Sequence, residues 1–424
     1  MSDTSVSLGF PVAELRRQFP GLQRDERFIF FDNAAGAQIP SRVLEAITSH
    51  LVSRNVQRGG VYRHSQEVDA MLARTRESVA ALVNARAPDE IAFGLNATSF
   101  IRAISLAVGQ ALGVRNEIVV TDIDHEANVA TWLALERFGA RITWWPVRAD
   151  GRLHVEDLEA IVSRRTRLVA CTMASNATGT RVDAGAAAAA ARRVGAEIFL
   201  DAVHLAPHAA IDVQALGADY LVCSGYKLFS PHMGFAWCRR EAINSLPTFR
   251  EDFIPDVTPD KLEAGTYAYE NVAGMEAVVA YLEDVAIRVS DGSSGRSRRD
   301  RIERAFSAIA QYERDLSAAL LDAIERVPGS TVHGVRAGED LGKRVPTVSF
   351  TIDGVESSAL AAALAAHDVG VRSGHMYAPR LMRRLGVPAG GLVRASLVHY
   401  NTVAEIARFG SILEEAVETL RSKG

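Results

Sequence analysis

The chain is expected to fold as an α/β protein, with a large domain built on a mostly parallel sheet covered by helices and a smaller C-terminal α+β domain. Three observations lead there. From about residue 90 to 238, short apolar β-type runs alternate with helical stretches, the pattern of strand–helix units in a sheet covered on both faces. At 424 residues the chain exceeds the size at which one hydrophobic core keeps growing, so two domains are the default. Near 288–304 the composition turns polar and rich in Gly and Ser, as in Ser290-Asp291-Gly292-Ser293-Ser294-Gly295, and helix propensity returns at once in Ile302 to Val327. The expected division is therefore an N-terminal segment packing with the small domain (1–30), a large domain (31–290) and a small domain (291–424).

The elements follow from local pattern. Val12, Leu15 and Phe19 share one face of a short helix that Pro20-Gly21 is expected to close. A helix-like stretch at 66–84 precedes the run Glu90-Ile91-Ala92-Phe93, and Asn96-Ala97-Thr98 opens a helical run from Ser99 to Val108. Strands are expected at 117–121, 141–147, 167–173, 197–201, 220–224 and 234–238, with helices at 127–138, 155–163 and 184–194 filling three of the gaps. In the small domain a strand is expected at Val345 to Ile352 and helices at 356–367 and 403–421. No internal repeat is present.

Composition narrows the function. With 48% hydrophobic and 23% charged residues and a net charge of −4, nothing favours nucleic acid or a membrane surface as partner. No apolar run is long enough to span a bilayer, and no signal-like start precedes the first helix. Cys171, Cys223 and Cys238 lie in strand-like segments without metal-ligand spacing. They are expected to be reduced core residues of a cytoplasmic protein that holds no metal.

Lys227 is one of only four lysines, and it follows the apolar run Tyr220-Leu221-Val222-Cys223-Ser224. Its amine is the side chain that forms a Schiff base with a carbonyl, which arginine cannot do. Asp201 stands 26 residues upstream, at the end of Glu197-Ile198-Phe199-Leu200. A lysine Schiff base together with an Asp on a pyridinium nitrogen is the pair by which proteins hold pyridoxal 5'-phosphate. Open α/β sheets bind ligands at the carboxyl ends of their strands, and further polar residues fall at such ends: His125, Asn176, His204 and Ser224. Singly, His125 could be a helix-start residue, Asn176 a turn former and Asp201 an N-cap. Their recurring placement beside Lys227 is what a cofactor site would require, and one is expected here. His125 would stack on the ring, while Asn176 and His204 reach its phenolic oxygen. Ala97 and Thr98 at a helix start, with Ser224, would hold the phosphate. Arg394 could clamp a substrate carboxylate through its fork, or serve an ordinary surface role.

These residues resemble the class V, fold-type I aminotransferase superfamily, and within it the cysteine desulfurase and selenocysteine lyase branch. The resemblance rests on Phe31-Asp32-Asn33-Ala34-Ala35-Gly36, Arg58-Gly59, Asn96-Ala97-Thr98, His125 to Asn128, Ser175-Asn176, Asp201, Ser224-Gly225-Tyr226-Lys227, Gly265-Thr266, Arg372-Ser373-Gly374-His375 and Arg394-Ala395-Ser396. It implies a homodimer with shared active sites, in which Thr266 reaches the partner's phosphate. It also implies a small amino-acid substrate, with Asn33, Arg372, Tyr377 and Arg394 in the substrate-binding set.

Three departures bear on the reaction. Tyr226 replaces the family's usual His before the lysine, His204 replaces the desulfurases' Gln, and Tyr377 stands where the desulfurases carry their sulfur-accepting cysteine. Tyr377 could donate a proton or hydrogen bond, or simply fill the vacated space. The expected reaction is lyase-type β-elimination of a sulfur- or selenium-bearing group, without a cysteine persulfide. Transamination and epimerisation share its early steps, and an inactive scaffold is the reading of another class. Arg58, Arg63, His64 and Arg372 could favour an acidic side chain or be dimer contacts, so the substrate side chain stays open.

Overall fold

A computed structural model describes residues 9–290, 297–336 and 338–423. Its centre is a seven-stranded sheet in the order Ile91–Gly94, Gly234–Cys238, Tyr220–Ser224, Glu197–Asp201, Thr166–Thr172, Glu117–Thr121, Arg141–Trp145. Gly234–Cys238 runs antiparallel to both of its neighbours, and the five strands beyond it are mutually parallel. The expected α/β class with a mostly parallel sheet is thus observed.

The inner strands are largely apolar because both faces are buried, whereas the edge strand Arg141–Trp145 is partly exposed. Val119, Val169, Ile198, Leu200 and Leu221 face one core, which includes the helices Arg63–Val83, Ala184–Arg193 and Tyr269–Arg288. Their neighbours Ile118, Val120, Leu168, Ala170, Phe199 and Val222 face the other, with Ala97–Gln110 and Ala127–Leu133. The period-two alternation of side chains sorts an unbroken apolar run into two layers.

The C-terminal part holds a four-stranded antiparallel sheet, ordered Arg372–Gly374, Leu392–Ser396, Thr347–Ile352, Ser330–His333. The helices Ser357–Ala365 and Val403–Lys423 cover it. Helix Arg298–Glu325 serves both halves: Ile302, Phe306 and Ile309 enter the large core, whereas Tyr312, Leu316, Leu320 and Ile324 enter the small one. Ser297 caps that helix in a capping box with Asp300. Most of the Gly/Ser-rich stretch, 291–296, lies outside the described residues.

Two expectations need correction. Pro20 does not close the first helix, which ends at Arg16; it occupies the first turn of a second helix, Pro20–Gln23, where its fixed φ and missing N–H cost nothing. The N-terminal segment does not pack on the small domain alone. Leu15, Phe19 and Leu22 are buried in the large core, while Phe10 stacks on Tyr312 with ring centroids 4.6 Å apart and Ile29–Phe30 pairs with Val369–Gly370. Several elements were not anticipated, among them the helix Ser41–Ser53 and the strands Ser330–His333 and Leu392–Ser396.

Candidate active site

The parallel register sets Thr172 beside Asp201 and Asp201 beside Val222, so the first two strands end level, Tyr220–Ser224 runs two residues further, and the residues that follow all three share one cleft. Ala97, His125, Asn176, Asp201, Ser224 and Lys227 line it, together with Thr98, His204 and Tyr226. Gly234 admits the start of helix Ala97–Gln110 to this edge, since a Cβ there would lie 2.6 Å from the Asn96 Cα.

Lys227 ends a single turn, Gly225–Lys227, directly after strand Tyr220–Ser224, and is buried. Burial, reinforced by the Arg394 charge, pushes its pKa down to about 8, against the opposing pull of Asp201. Lys261, by contrast, is tied to the Leu246 carbonyl at 2.9 Å and to Asp256. Asp201 is buried too, its Oδ1 accepting from the Val203 N–H at 2.9 Å. Burial raises its pKa, and the Val203 N–H and Lys227 oppose the rise. An acid and an amine thus sit desolvated in the same cleft.

His125 accepts the Ala127 N–H on Nδ1 at 3.0 Å, which leaves the ring proton on Nε2. Burial, then Lys227 and Arg394, lower its pKa to about 4, so it is a neutral ring at neutral pH. His204 is held well below its usual pKa, mainly by burial, and meets Thr347 Oγ1 at 3.1 Å across the junction with the small sheet. Asn176 gives its Nδ2 to the Met376 carbonyl at 2.6 Å and leaves Oδ1 buried without a partner among the described residues. Ser224 Oγ accepts the Ala97 N–H at 3.0 Å. Ala97 therefore turns its N–H inward instead of offering it to a phosphate as expected, and in doing so leaves the Ser224 hydroxyl hydrogen free to donate into the cleft. Tyr226 stacks on His232, centroids 5.1 Å apart.

The substrate-side residues divide. Arg394 is buried, with Nη2 3.1 Å from Asp32 Oδ1, Nη1 donating to the Asn176 carbonyl at 2.8 Å, and Nε unpartnered. Arg372 reaches Asp32 Oδ2 at 2.7 Å and stays partly exposed. Asn33 is corrected: its side chain donates to the Ser396 carbonyl (2.8 Å) and to Asn401 Oδ1 (3.1 Å) and accepts from the Tyr400 hydroxyl. Its polar atoms are spent on stapling the chain, not on a ligand. Thr266 is exposed, does not line this cleft, and accepts from Gln57 Nε2 at 2.7 Å.

Two residues were missed. Asp32 bridges both arginines, and no local signal links residues some 340 positions apart. Asp124 lies behind Asp201, fully enclosed, accepting from Thr121, Asn128 (2.7 Å) and the Thr172 N–H (3.1 Å). Burial raises its pKa to about 7. Its donors at i−3 and i+4 could have marked it.

A match to the aminotransferase class-V family model covers residues 29–298 and 301–409. The chain belongs to this family. The class V chain is 35% identical over 419 residues to the aminotransferase-like protein FGM3 of Gibberella zeae, covering 96% of this chain and 99% of that one. It is 30% identical to a probable cysteine desulfurase of Streptomyces coelicolor, covering 92% and 94%. Among solved structures it resembles the Escherichia coli cysteine desulfurase CsdA, with TM-score 0.83, 28% identity and coverage of 97% and 99%. It also resembles a cysteine desulfurase of Thermococcus onnurineus, with TM-score 0.85, 26% identity and coverage of 98% and 100%. The class V chain is a pyridoxal 5'-phosphate-dependent enzyme of the cysteine desulfurase-related branch.

The donor set fits that cofactor. A buried carboxylate, a buried amine, a neutral imidazole, a helix start and the unpartnered Asn176 Oδ1 converge on one cleft. The three cysteines are fully buried in strands, and burial pushes each thiol pKa up. Among the described residues, no helix is long and apolar enough to cross a membrane.

Proposed function

We propose that this enzyme eliminates a sulfur- or selenium-bearing group from the β-carbon of an amino acid without passing the chalcogen through a cysteine. The single observation that carries the reading is that all three thiols are enclosed at 0% exposure, whereas the loop beside the cleft presents a phenol, Tyr377. Persulfide chemistry needs an accessible thiolate.

When bound, pyridoxal phosphate supplies an electron sink for the substrate's Cα. The protein does the rest. Lys227 would be the residue that holds the cofactor, and its Nζ would take the substrate's Cα proton; a pKa of about 8 leaves a useful share of that amine neutral at physiological pH. Asp201 would keep the ring nitrogen protonated, and His125 would pack against the ring as a neutral imidazole. Asn176 Oδ1 and His204 would serve its polar substituent, and Thr98 and Ser224 would donate to the phosphate. Arg394, preset by Asp32, takes the α-carboxylate.

We further propose a homodimer in which Thr266 serves the partner's site. Val61, Phe249 and Phe253 are large apolar side chains left exposed, and such residues in number mark interfaces. The buried, free thiols suit a cytoplasmic setting.

Incubation with L-cysteine followed by intact-protein mass spectrometry tests the elimination reading. No sulfur adduct should form, and sulfide should appear in solution. A 32-Da-class adduct (roughly one sulfur atom) on Cys171, Cys223 or Cys238 that is chased to an acceptor thiol would overturn it.

A further inference from the structure

The loop after strand Arg372–Gly374 holds two consecutive non-glycine residues in the left-handed region, Met376 at φ 50° and Tyr377 at φ 56°. Single residues of this kind are uncommon, and bulky ones persist only where the surroundings over-determine them. Here they do. The Met376 side chain is buried against Ile123, Val147 and Leu381, and its carbonyl accepts from Asn176 Nδ2. The Tyr377 carbonyl accepts the Glu126 N–H at 2.8 Å, and its N–H donates to His375 Nδ1 at 3.0 Å. Arg380 then clasps Glu126 through two hydrogen bonds of 3.0 and 3.1 Å. All of this fastening acts on the backbone and on Met376, while the Tyr377 ring is left 58% exposed. That ring stands 5.6 Å from the His125 ring, centroid to centroid. Its phenol lies within electrostatic reach of Arg372, Arg394 and Tyr226. A side chain that merely filled space would be packed; this ring stays exposed beside His125, a residue that lines the cleft.

We propose that Tyr377 is a catalytic residue, whose phenol gives its proton to the substrate's β-substituent as that group leaves. The inference rests on the elimination reading above and adds the acid that reading lacks. In the step, Lys227 Nζ takes the Cα proton and the electron pair left behind forms the Cα–Cβ double bond. With the substrate sulfur bound as thiolate, the Cβ–S bond breaks with its electrons going to sulfur, and the Tyr377 O–H proton passes to that sulfur so that it leaves as hydrosulfide instead of the far more basic sulfide dianion. The resulting phenolate lies within electrostatic reach of Arg372 and Arg394 and, being exposed, regains its proton from water. The enamine product hydrolyses in solution to pyruvate and ammonia. Placing cations where negative charge develops is the means by which such a site lowers a barrier.

Tyr377→Phe in the holoenzyme, read with three probes, tests this. With L-cysteine the variant should release pyruvate at least about tenfold more slowly, through kcat and not KM, at the low end of what a general acid contributes. With β-chloro-L-alanine, whose chloride leaves unprotonated, it should stay within about threefold of the parent. Exchange of the Cα hydrogen of L-alanine with deuterium from solvent, which involves no leaving group, should be unchanged and shows that the variant is folded and loaded. Equal losses on both eliminating probes, or no loss on either, overturn the role of Tyr377. A parent enzyme that exchanges L-alanine but releases pyruvate from neither probe refutes the elimination reading instead, and this inference with it.

Discussion

Lys227→Ala should fold, retain pyridoxal phosphate through noncovalent contacts, and lose turnover by roughly 10²–10⁴-fold or more, since it removes both the covalent anchor and the general base. Borohydride reduction of the parent holoenzyme followed by peptide mapping should place the label on Lys227; a label on Lys261, Lys343 or Lys423 would refute the assignment. The depressed pKa adds two readouts on the cofactor-free protein. Covalent capture requires the neutral amine, so its rate should rise through about pH 8 and level above it. Lys227 titrates lower in the folded than in the unfolded state, so between about pH 8 and the usual lysine value of about 10.4 the unfolded chain carries the extra proton. The contribution of this residue therefore makes the apoprotein more stable as pH rises across that window. In Lys227→Ala that rise should vanish, which chemical denaturation at several pH values would show.

Asp201→Asn should leave the fold intact and lower turnover roughly ten- to a hundred-fold. A charge-assisted hydrogen bond in a desolvated site is worth about 1.5–3 kcal/mol, and each 1.4 kcal/mol of added barrier costs about tenfold. Substrate affinity should change little, because the substrate carboxylate is proposed to bind Arg394 and not Asp201. The apoprotein should not lose stability, since burial already makes an ionised Asp201 unfavourable in the folded chain. Activity within a factor of about two of the parent would move the role elsewhere, and Asp124, buried close behind, would be the next residue to replace.

What was legible in the sequence had local causes. Lys227, Asp201, His125, Asn176, His204 and Ser224 all follow apolar runs, and a parallel sheet delivers such positions to one edge regardless of how its strands are ordered. What was not legible had distant or masked causes. Helix Tyr269–Arg288 buries eleven residues spread around much of its circumference, so no narrow apolar stripe marks it. Strand Leu392–Ser396 is interrupted by Arg394, whose burial is possible only because Asp32 meets it from another part of the chain. Asn33 looked like a ligand-binding amide because its four-way hydrogen bonding with Phe30, Ser396, Tyr400 and Asn401 exists only in three dimensions. Ala97 looked like a phosphate donor until the fold brought Ser224 to its N–H. The reversed strand Gly234–Cys238 carries no sequence mark of its direction.

The most direct test of the account is a product analysis of the holoenzyme given L-cysteine alone, with no keto acid present. Sulfide, pyruvate and ammonia should appear in equal amounts over many turnovers, with no alanine and no sulfur retained on the protein. Alanine formed together with protein-bound sulfur, or amino transfer that starts only when a keto acid is added, would contradict it.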